Sequence, residues 1–521
     1  MLTLTAFVLA LASATPAARA GAVFHVSFSR QVRAEPATGR LLVFLVRDGR
    51  RTRPGTQPLD GPSWTDPQPL FGIDVKDLQP GAVATVDDSA TSFPEKPSVL
   101  PPGTYLAQAR LDTSRTNSEW RRDPGNLFTR NVVTFTVENG KDTVVDLALD
   151  AATTPEPMPR VDGVEVFEMR SKLLSEFRGH DVMLRAGVRL PLDYDPAKSY
   201  AAVYEVPGYG GDHRGAFDEK RRVSATRPGT GAGDMARAAF WIVLDPESSN
   251  GHTLFANSSN NGPCGDALVR ELIPALEQKY KLQTTPESRM LRGHSSGGWS
   301  TLWLTLKYPE TFGACWSSSP DPVDFRRMQR SDIYSGASMY TEPDPDSPGA
   351  TRETPSFRVR AEPKMTVRQE NLMEEVVGPH NTSAQQWDSW LAAWGPRGPD
   401  GHPAALYDPV TGVIDHAVAE KYRAYDIGEL LRAGKGVLGP IFKQRIRLIV
   451  GDLDSFYLNE AVALLKEDVD KLSFFRLPEG DHGSITIVPG ADHGTVLRSP
   501  EGRAIEGEML KHLKDRDAMP K

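Results

Sequence analysis

The segment Gly293-His294-Ser295-Ser296-Gly297 sets a serine between two glycines in the spacing Gly-x-Ser-x-Gly. A serine hydroxyl is a weak nucleophile until a base takes its proton, so chemistry at Ser295 requires a histidine and an acid that orients it. The spacing also carries a structural meaning. A strand that turns sharply into a helix crowds the serine backbone, so the residues two before and two after it must be small. Met290 and Leu291 can extend ahead of the turn, and Ser300 to Tyr308 can run on as a helix until Pro309. Such an elbow exposes Ser295 at a strand tip, above a helix N-terminus that favours negative charge.

The partners are sought downstream, where a Ser, acid, His order puts each residue in a loop after a strand. Arg447-Leu448-Ile449-Val450 reads as a strand, and Gly451-Asp452-Leu453-Asp454 follows it. Asp454 stands where the loop turns toward a histidine; Asp452, nearer the strand end, is the alternative and also suits a turn cap. Two near-identical segments offer the base, Asp481-His482-Gly483 and Asp492-His493-Gly494. His493 follows a clean strand, Ser484 to Pro489, and is preferred. His482 stays as the alternative, or as a polar loop residue near the site entrance. A tetrahedral intermediate needs two N–H donors. The amide of Ser296 is one, and the glycine-rich turn Pro207-Gly208-Tyr209-Gly210-Gly211 supplies the other through Tyr209.

These residues need a scaffold. From Val161 onward strands alternate with helices: Val164–Glu168, Asp181–Leu190, Tyr200–Val206, Ala239–Leu244, Met290–Arg292, Phe312–Ser317, Arg445–Val450 and Ser484–Val488 read as strands. Helices are expected at about 265–280, 460–472 and 504–513. The alternation predicts a mostly parallel sheet covered on both faces, and hence an α/β class. About 321–443 breaks the alternation and is expected to be an insertion or cap. Within it Trp387, Trp390, Leu391 and Trp394 share one helical face, either an aromatic wall for a sugar or aryl group or a face packed on the core. Asn260-Asn261-Gly262-Pro263-Cys264 fits the mouth of a site and a helix-capping turn equally well.

Before Val161 the pattern is different. Residues 21–150 form short Val-, Phe-, Tyr- and Thr-rich runs between turns, which predicts an all-β immunoglobulin-like sandwich. Asn139-Gly140 between Val132–Val137 and Thr143–Leu149 signals a two-residue hairpin. No Ser, His, Asp or Glu constellation there demands chemistry, so a packing module is expected, with carbohydrate binding or docking as other uses. Ala151 to Arg160, with three alternate prolines, reads as a semi-rigid linker.

At 521 residues the chain is long enough for two domains. A net charge of −8 gives no basic footprint, so nucleic acid is not an expected partner. Met1 to Ala20, an apolar run ending in Ala18-Arg19-Ala20, reads as a signal peptide without a basic n-region, which implies a secreted or periplasmic protein. No later run is apolar enough for a membrane span. The two cysteines, Cys264 and Cys315, form one disulfide or remain two buried thiols. No Cys/His cluster has metal-ligand spacing, and neither metal nor cofactor is expected.

From about Lys172 to the C-terminus the chain resembles the branch of the α/β-hydrolases that includes esterase D, enterochelin esterase and several feruloyl and acetyl-xylan esterases. The resemblance rests on 171–177, 190–195, Pro207–Gly211, 271–277, Gly293–Gly298, Gly451–Leu458 and Pro489–Gly494. It implies cofactor-free ester hydrolysis through an acyl-enzyme, with Ser295 as nucleophile, Asp454 as acid and His493 as base. A small-molecule or polysaccharide-linked ester, carbohydrate or aryl, is the implied substrate. The β-rich front region and the 321–443 insertion depart from the branch, and acyl and alcohol pockets are built from such additions. Two rival readings follow: an acyltransferase of the same fold, as in the mycolyltransferases, and a glycan-binding protein that retains the fold without its chemistry.

Overall fold

The computed structural model describes residues 21–49, 57–62, 64–218, 229–472 and 483–521. The signal-peptide segment and His482 lie outside the described residues. The chain divides into two compact units, one of Met1–Pro62, Gln68–Leu111 and Leu127–Ala152, the other of Ser63–Pro67, Asp112–Asn126 and Thr153–Lys521.

The first unit is built of strands. Ala22–Phe28 lies between Ala84–Val86 and Thr143–Leu149 in one sheet, and Ala37–Arg47, Leu70–Leu78 and Gly103–Asp112 belong to a second. Alternate side chains point inward, Phe24, Val26 and Phe28 from one strand and Val145, Leu147 and Leu149 from its neighbour. They share one core with Leu41, Val43, Phe71, Tyr105 and Ala107 of the second sheet. Asn139-Gly140 does form a turn, with Gly140 at φ +71 and the Lys141 amide donating to Glu138 O. The flanking strands nevertheless part: Val133–Val137 pairs with Gly103–Asp112, whereas Thr143–Leu149 pairs in parallel with Ala22–Phe28. A tight turn fixes only the local reversal, and burial of each strand's apolar face decides its partner. Ala151–Ala152, the first two residues of the expected linker, pair with Leu127–Phe128.

The second unit is an eight-stranded sheet with β1 (Val164–Ser171), β2 (Val182–Arg189), β3 (Ala201–Val206), β4 (Ala239–Leu244), β5 (Arg289–His294), β6 (Ala314–Ser318), β7 (Ile446–Gly451) and β8 (Ser484–Val488) in the order β1-β2-β4-β3-β5-β6-β7-β8. β2 runs antiparallel to β1 and β4, and every pairing from β4 to β8 is parallel. β3 is buried along its whole length, as a parallel strand covered on both faces must be. Its two faces serve different cores. Ala202, Tyr204 and Val206 pack with Leu268, Leu272, Leu276, Trp299 and Leu302, while Ala201 and Val203 pack with Met235, Ile505, Met509 and Leu513.

The 321–443 interval is folded, not structureless. It holds the hairpins Thr341–Pro343/Thr351–Glu353 and Pro355–Val359/Glu362–Thr366 and five α-helices, among them Gln386–Trp394 and, running just past its end, Lys435–Arg445. Trp387, Trp390, Leu391 and Trp394 are at most 2% exposed and join the main core, which identifies their helix face chiefly as a packed one. Asn260 belongs to a turn whose amide side chain donates to the Ala392 and Gly395 carbonyls, the C-terminal end of that helix. Cys264 and Cys315 are both buried free thiols, and burial pushes each up to about 11. Among the described residues no helix is long and apolar enough to cross a membrane.

Candidate active site

Ser295 sits between β5 and the helix Ser296–Lys307 with φ 60 and ψ −125, a backbone conformation that L residues avoid and that costs of order 1–3 kcal/mol. The surroundings enforce it: the Ser295 amide donates to Ser318 O at 3.0 Å, and Ser295 O accepts from the amides of Trp299 and Asp321. The flanking glycines are obligatory. A Cβ on Gly293 would stand 2.1 Å from Gly297 O, and one on Gly297 would stand 1.9 Å from Val206 O. The turn thus lets the helix start against β3, and the side chain of Ser295 faces outward at the carboxyl end of the sheet, where ligands of open α/β sheets bind.

Asp454 follows β7 and is fully buried. Its Oδ1 accepts from the amides of Phe456 (3.0 Å) and Leu458 (3.4 Å), and its Oδ2 accepts from Nδ1 of His493 at 2.9 Å. Burial by itself pushes this carboxyl up; the His493 ring and the Phe456 amide outweigh that and hold it below the ordinary carboxylate value. For His493 burial pulls downward, and the Asp454 charge and hydrogen bond prevail, raising the imidazole above 6.5. Asp452, the alternative acid, is spent elsewhere: its Oδ1 accepts from the Gly490 amide at 2.7 Å. The His493 ring is packed at 4.9 Å edge-on to Phe456 and 4.5 Å from His294.

Ser295 and His493 line one cavity of about 250 Å3, together with Gly208, Tyr209, Asp321, Gln386 and Trp390. The loop after β3 reaches the serine closely: a Cβ on Gly208 would lie 3.3 Å from Ser295 Cβ. The Gly211 amide closes that loop onto Gly208 O at 3.0 Å, with Gly210 at φ +74. Ser296 begins the helix, and the opening amides of a helix have no intrahelical acceptor.

Two residues of this site, Asp321 and Trp64, carry no signature in the sequence. Asp321, three positions past β6, is 2% exposed and accepts from the Trp390 indole N–H at 2.6 Å and from Gln386 at 3.5 Å. Burial pushes its carboxyl up to about 6. Trp64 lines the cavity and packs edge-on to Phe456 at 5.4 Å, although it comes from a stretch of the chain surrounded by first-unit sequence. A histidine or serine can be sought by type; a wall residue is defined only by its neighbours.

The buried acids make stability depend on pH. Burial raises Asp321 and Asp426 to about 6 and Glu247 to about 7. In the unfolded chain these carboxyls release their protons near 4, so from about pH 4 to 7 the folded state binds more protons. Stability from these groups therefore grows as pH falls through that window. His493, raised when folded, acts in the same direction. The midpoint of thermal unfolding is expected to rise by a few degrees, about 2–5 °C, between pH 7.5 and 5.5 in scanning calorimetry; a lower midpoint at pH 5.5 would contradict this.

A β1-β2-β4-β3-β5-β6-β7-β8 sheet with a serine elbow after β5 is the α/β-hydrolase fold. Residues 181–397 match the family model described as "Putative esterase". That segment is similar to the esterases of the α/β-hydrolase superfamily, which supports a carboxylic ester hydrolase. The match contains Ser295 and the Tyr209 loop and ends before Asp454 and His493. No curated protein sequence matches the chain. Among solved structures, a ferulic acid esterase is 13% identical with a TM-score of 0.37, covering 67% of this chain and 98% of that one. An S-formylglutathione hydrolase from Agrobacterium tumefaciens is 13% identical with a TM-score of 0.37, covering 68% and 97%. A "putative dipeptidyl aminopeptidase IV" from Bacteroides ovatus is 12% identical with a TM-score of 0.38, covering 86% of this chain and 46% of that one.

Proposed function

We propose that the protein is a secreted serine esterase that cleaves a small aryl or carbohydrate ester through an acyl-enzyme. The observation that carries this reading is the 2.9 Å His493–Asp454 hydrogen bond at the rim of a cavity shared by His493 and the strained Ser295. Ser295 Oγ attacks the ester carbonyl carbon while His493 Nε2 takes the hydroxyl proton. Nδ1–H stays on Asp454, which fixes the tautomer and stabilises the imidazolium. The carbonyl oxygen becomes an oxyanion held by the amides of Tyr209 and Ser296. As the C–O bond breaks, His493 returns the proton to the leaving alcohol. Water then adds to the acyl-enzyme by the same route, its proton passing through His493 to Ser295 as the acid departs.

Tyr209, Trp390, Phe456 and Trp64 give the cavity an aromatic lining that suits an apolar acyl or aryl group, and about 250 Å3 suits a small one. The first unit, with its two sheets over one core and a parallel pairing of its first and last long strands, is in this reading an immunoglobulin-like sandwich at residues 21–150. The extracellular address rests on the signal-peptide pattern of Met1–Ala20.

Incubation with a fluorophosphonate probe and peptide mapping of the adduct tests the assignment. Stoichiometric labelling at Ser295, abolished in His493→Ala and retained in His482→Ala, is the expected result. Folded protein that does not label would overturn it.

A further inference from the structure

We propose that the segment Asp112–Asn126 is a catalytic positioning element that fixes the oxyanion loop, with Arg122 as its principal contact. This rests on the assignment of Tyr209 as an oxyanion donor.

The segment leaves the β-rich part of the chain after Gly103–Asp112 yet belongs to the compact unit that contains Ser295. It is held in shape by its own side chains. Asp123 accepts from the Thr116 amide at 3.0 Å, Asn126 Oδ1 accepts from the Thr113 (2.8 Å) and Ser114 (3.1 Å) amides, and Asn126 Nδ2 donates to Trp120 O at 3.2 Å. A loop internally braced in this way can transmit position.

Three anchors leave it, and all converge on the surroundings of Tyr209. Arg122 Nη1 donates to Asp212 Oδ2 at 2.8 Å and to Gly210 O at 3.4 Å, gripping the first and third residues after Tyr209 in the loop. Arg115 donates to Thr382 O and, at 3.3 Å, to Val377 O. The same turn supplies Ala384 O, which accepts from the Tyr209 hydroxyl at 3.3 Å. Ser118 donates through both its amide and its hydroxyl to Glu247 Oε2, each at 2.8 Å, and Glu247 is raised to about 7 by burial. So the segment holds the loop beyond Tyr209 through Arg122 and the acceptor of the Tyr209 side chain through Arg115.

On the other side of Tyr209, His252 completes the fixture. Its Nδ1 accepts from the Leu254 amide at 3.0 Å, which leaves the proton on Nε2 to donate to Pro207 O at 3.0 Å. Burial pulls this imidazole down to about 4, so the donor stays in the neutral tautomer through the physiological range. Pro207 is thus pinned by a buried histidine, and Gly210 and Asp212 by Arg122. An oxyanion donor works only when preorganised, because its value lies in costing no reorganisation when charge develops.

The position matters to the transition state and not to ground-state binding, which gives the proposal its signature. Arg122→Ala is expected to lower kcat by about 10–100-fold, within the loss that removing a whole oxyanion donor brings, with KM changed less than about twofold. Affinity for a trifluoromethyl ketone, which forms a tetrahedral adduct on the serine, should fall in parallel with kcat/KM. Arg122→Lys, which keeps a charge on Asp212 but lacks the planar fork, should recover part of the loss. Unchanged kcat in Arg122→Ala, or a rise in KM alone, overturns the proposal. If Arg122→Ala does not fold, Arg122→Lys and Ser118→Ala decide: a fall in kcat at unchanged KM and unchanged unfolding midpoint supports the clamp, and wild-type kcat in both overturns it. Wild-type labelling of Ser295 by the fluorophosphonate is read separately, so failure of the clamp and failure of the serine assignment give different results.

Discussion

Ser295→Ala is expected to lower the hydrolysis rate by about 10⁵–10⁶-fold. In the proposed mechanism the Ser295 hydroxyl forms the acyl bond, and its backbone is held at φ 60 by main-chain hydrogen bonds, so alanine leaves the elbow intact. His493→Ala should cost about as much, because a serine without its base and a base without its serine are equally idle. The double variant should be barely worse than either. Steady-state kinetics on a p-nitrophenyl ester, with circular dichroism to confirm the fold, checks all three. A fall in Ser295→Ala of less than about tenfold would mean that another nucleophile or a water carries the reaction.

The parts of this site legible in the sequence are those whose chemistry and sterics are local. Gly293 and Gly297 announce the elbow because the clashes they avoid, with Gly297 O and Val206 O, arise within one turn and its neighbouring strand. Asp454 is preferred to Asp452 from its place past β7; in the structure Asp452 accepts from the Gly490 amide and Asp454 accepts from His493 Nδ1. The α/β alternation predicted the sheet because buried parallel strands read as apolar runs.

What stayed hidden depends on distant partners. Asp321 was legible only as the start of an insertion; that it faces the cavity follows from Trp390 and Gln386, far along the chain. Trp64 and Arg122 lie in sequence that reads as β-rich and chemically silent, and nothing in their neighbours signals that their segments belong with the serine. The Asn139-Gly140 turn shows the same boundary from the other side. Its local geometry was readable, but the sheets its strands join were not, because pairing is decided by burial along whole strands.

Asp454→Asn tests the electrostatics as sharply as Ser295→Ala tests the nucleophile. The amide has little freedom to choose its orientation. Oδ1 already accepts from the Phe456 and Leu458 amides, so the carbonyl oxygen of asparagine stays there and its NH2 faces His493. A donor opposite Nδ1 forces the imidazole proton onto Nε2, the nitrogen that must receive the proton of Ser295. The expected result is a fall in kcat of about 10⁴ with the fold preserved. The pH profile should shift as well. His493 must be neutral to act as base, so kcat/KM rises with pH through its midpoint. In the wild type the Asp454 charge outweighs burial and holds that midpoint above 6.5. Without the charge, burial acts against only the weaker pull of Asp321 and Asp492, and the midpoint of the residual activity should move to lower pH. A variant with wild-type kcat and an unmoved profile would separate Asp454 from the histidine's chemistry, and the 2.9 Å contact would then be only a brace for the loop.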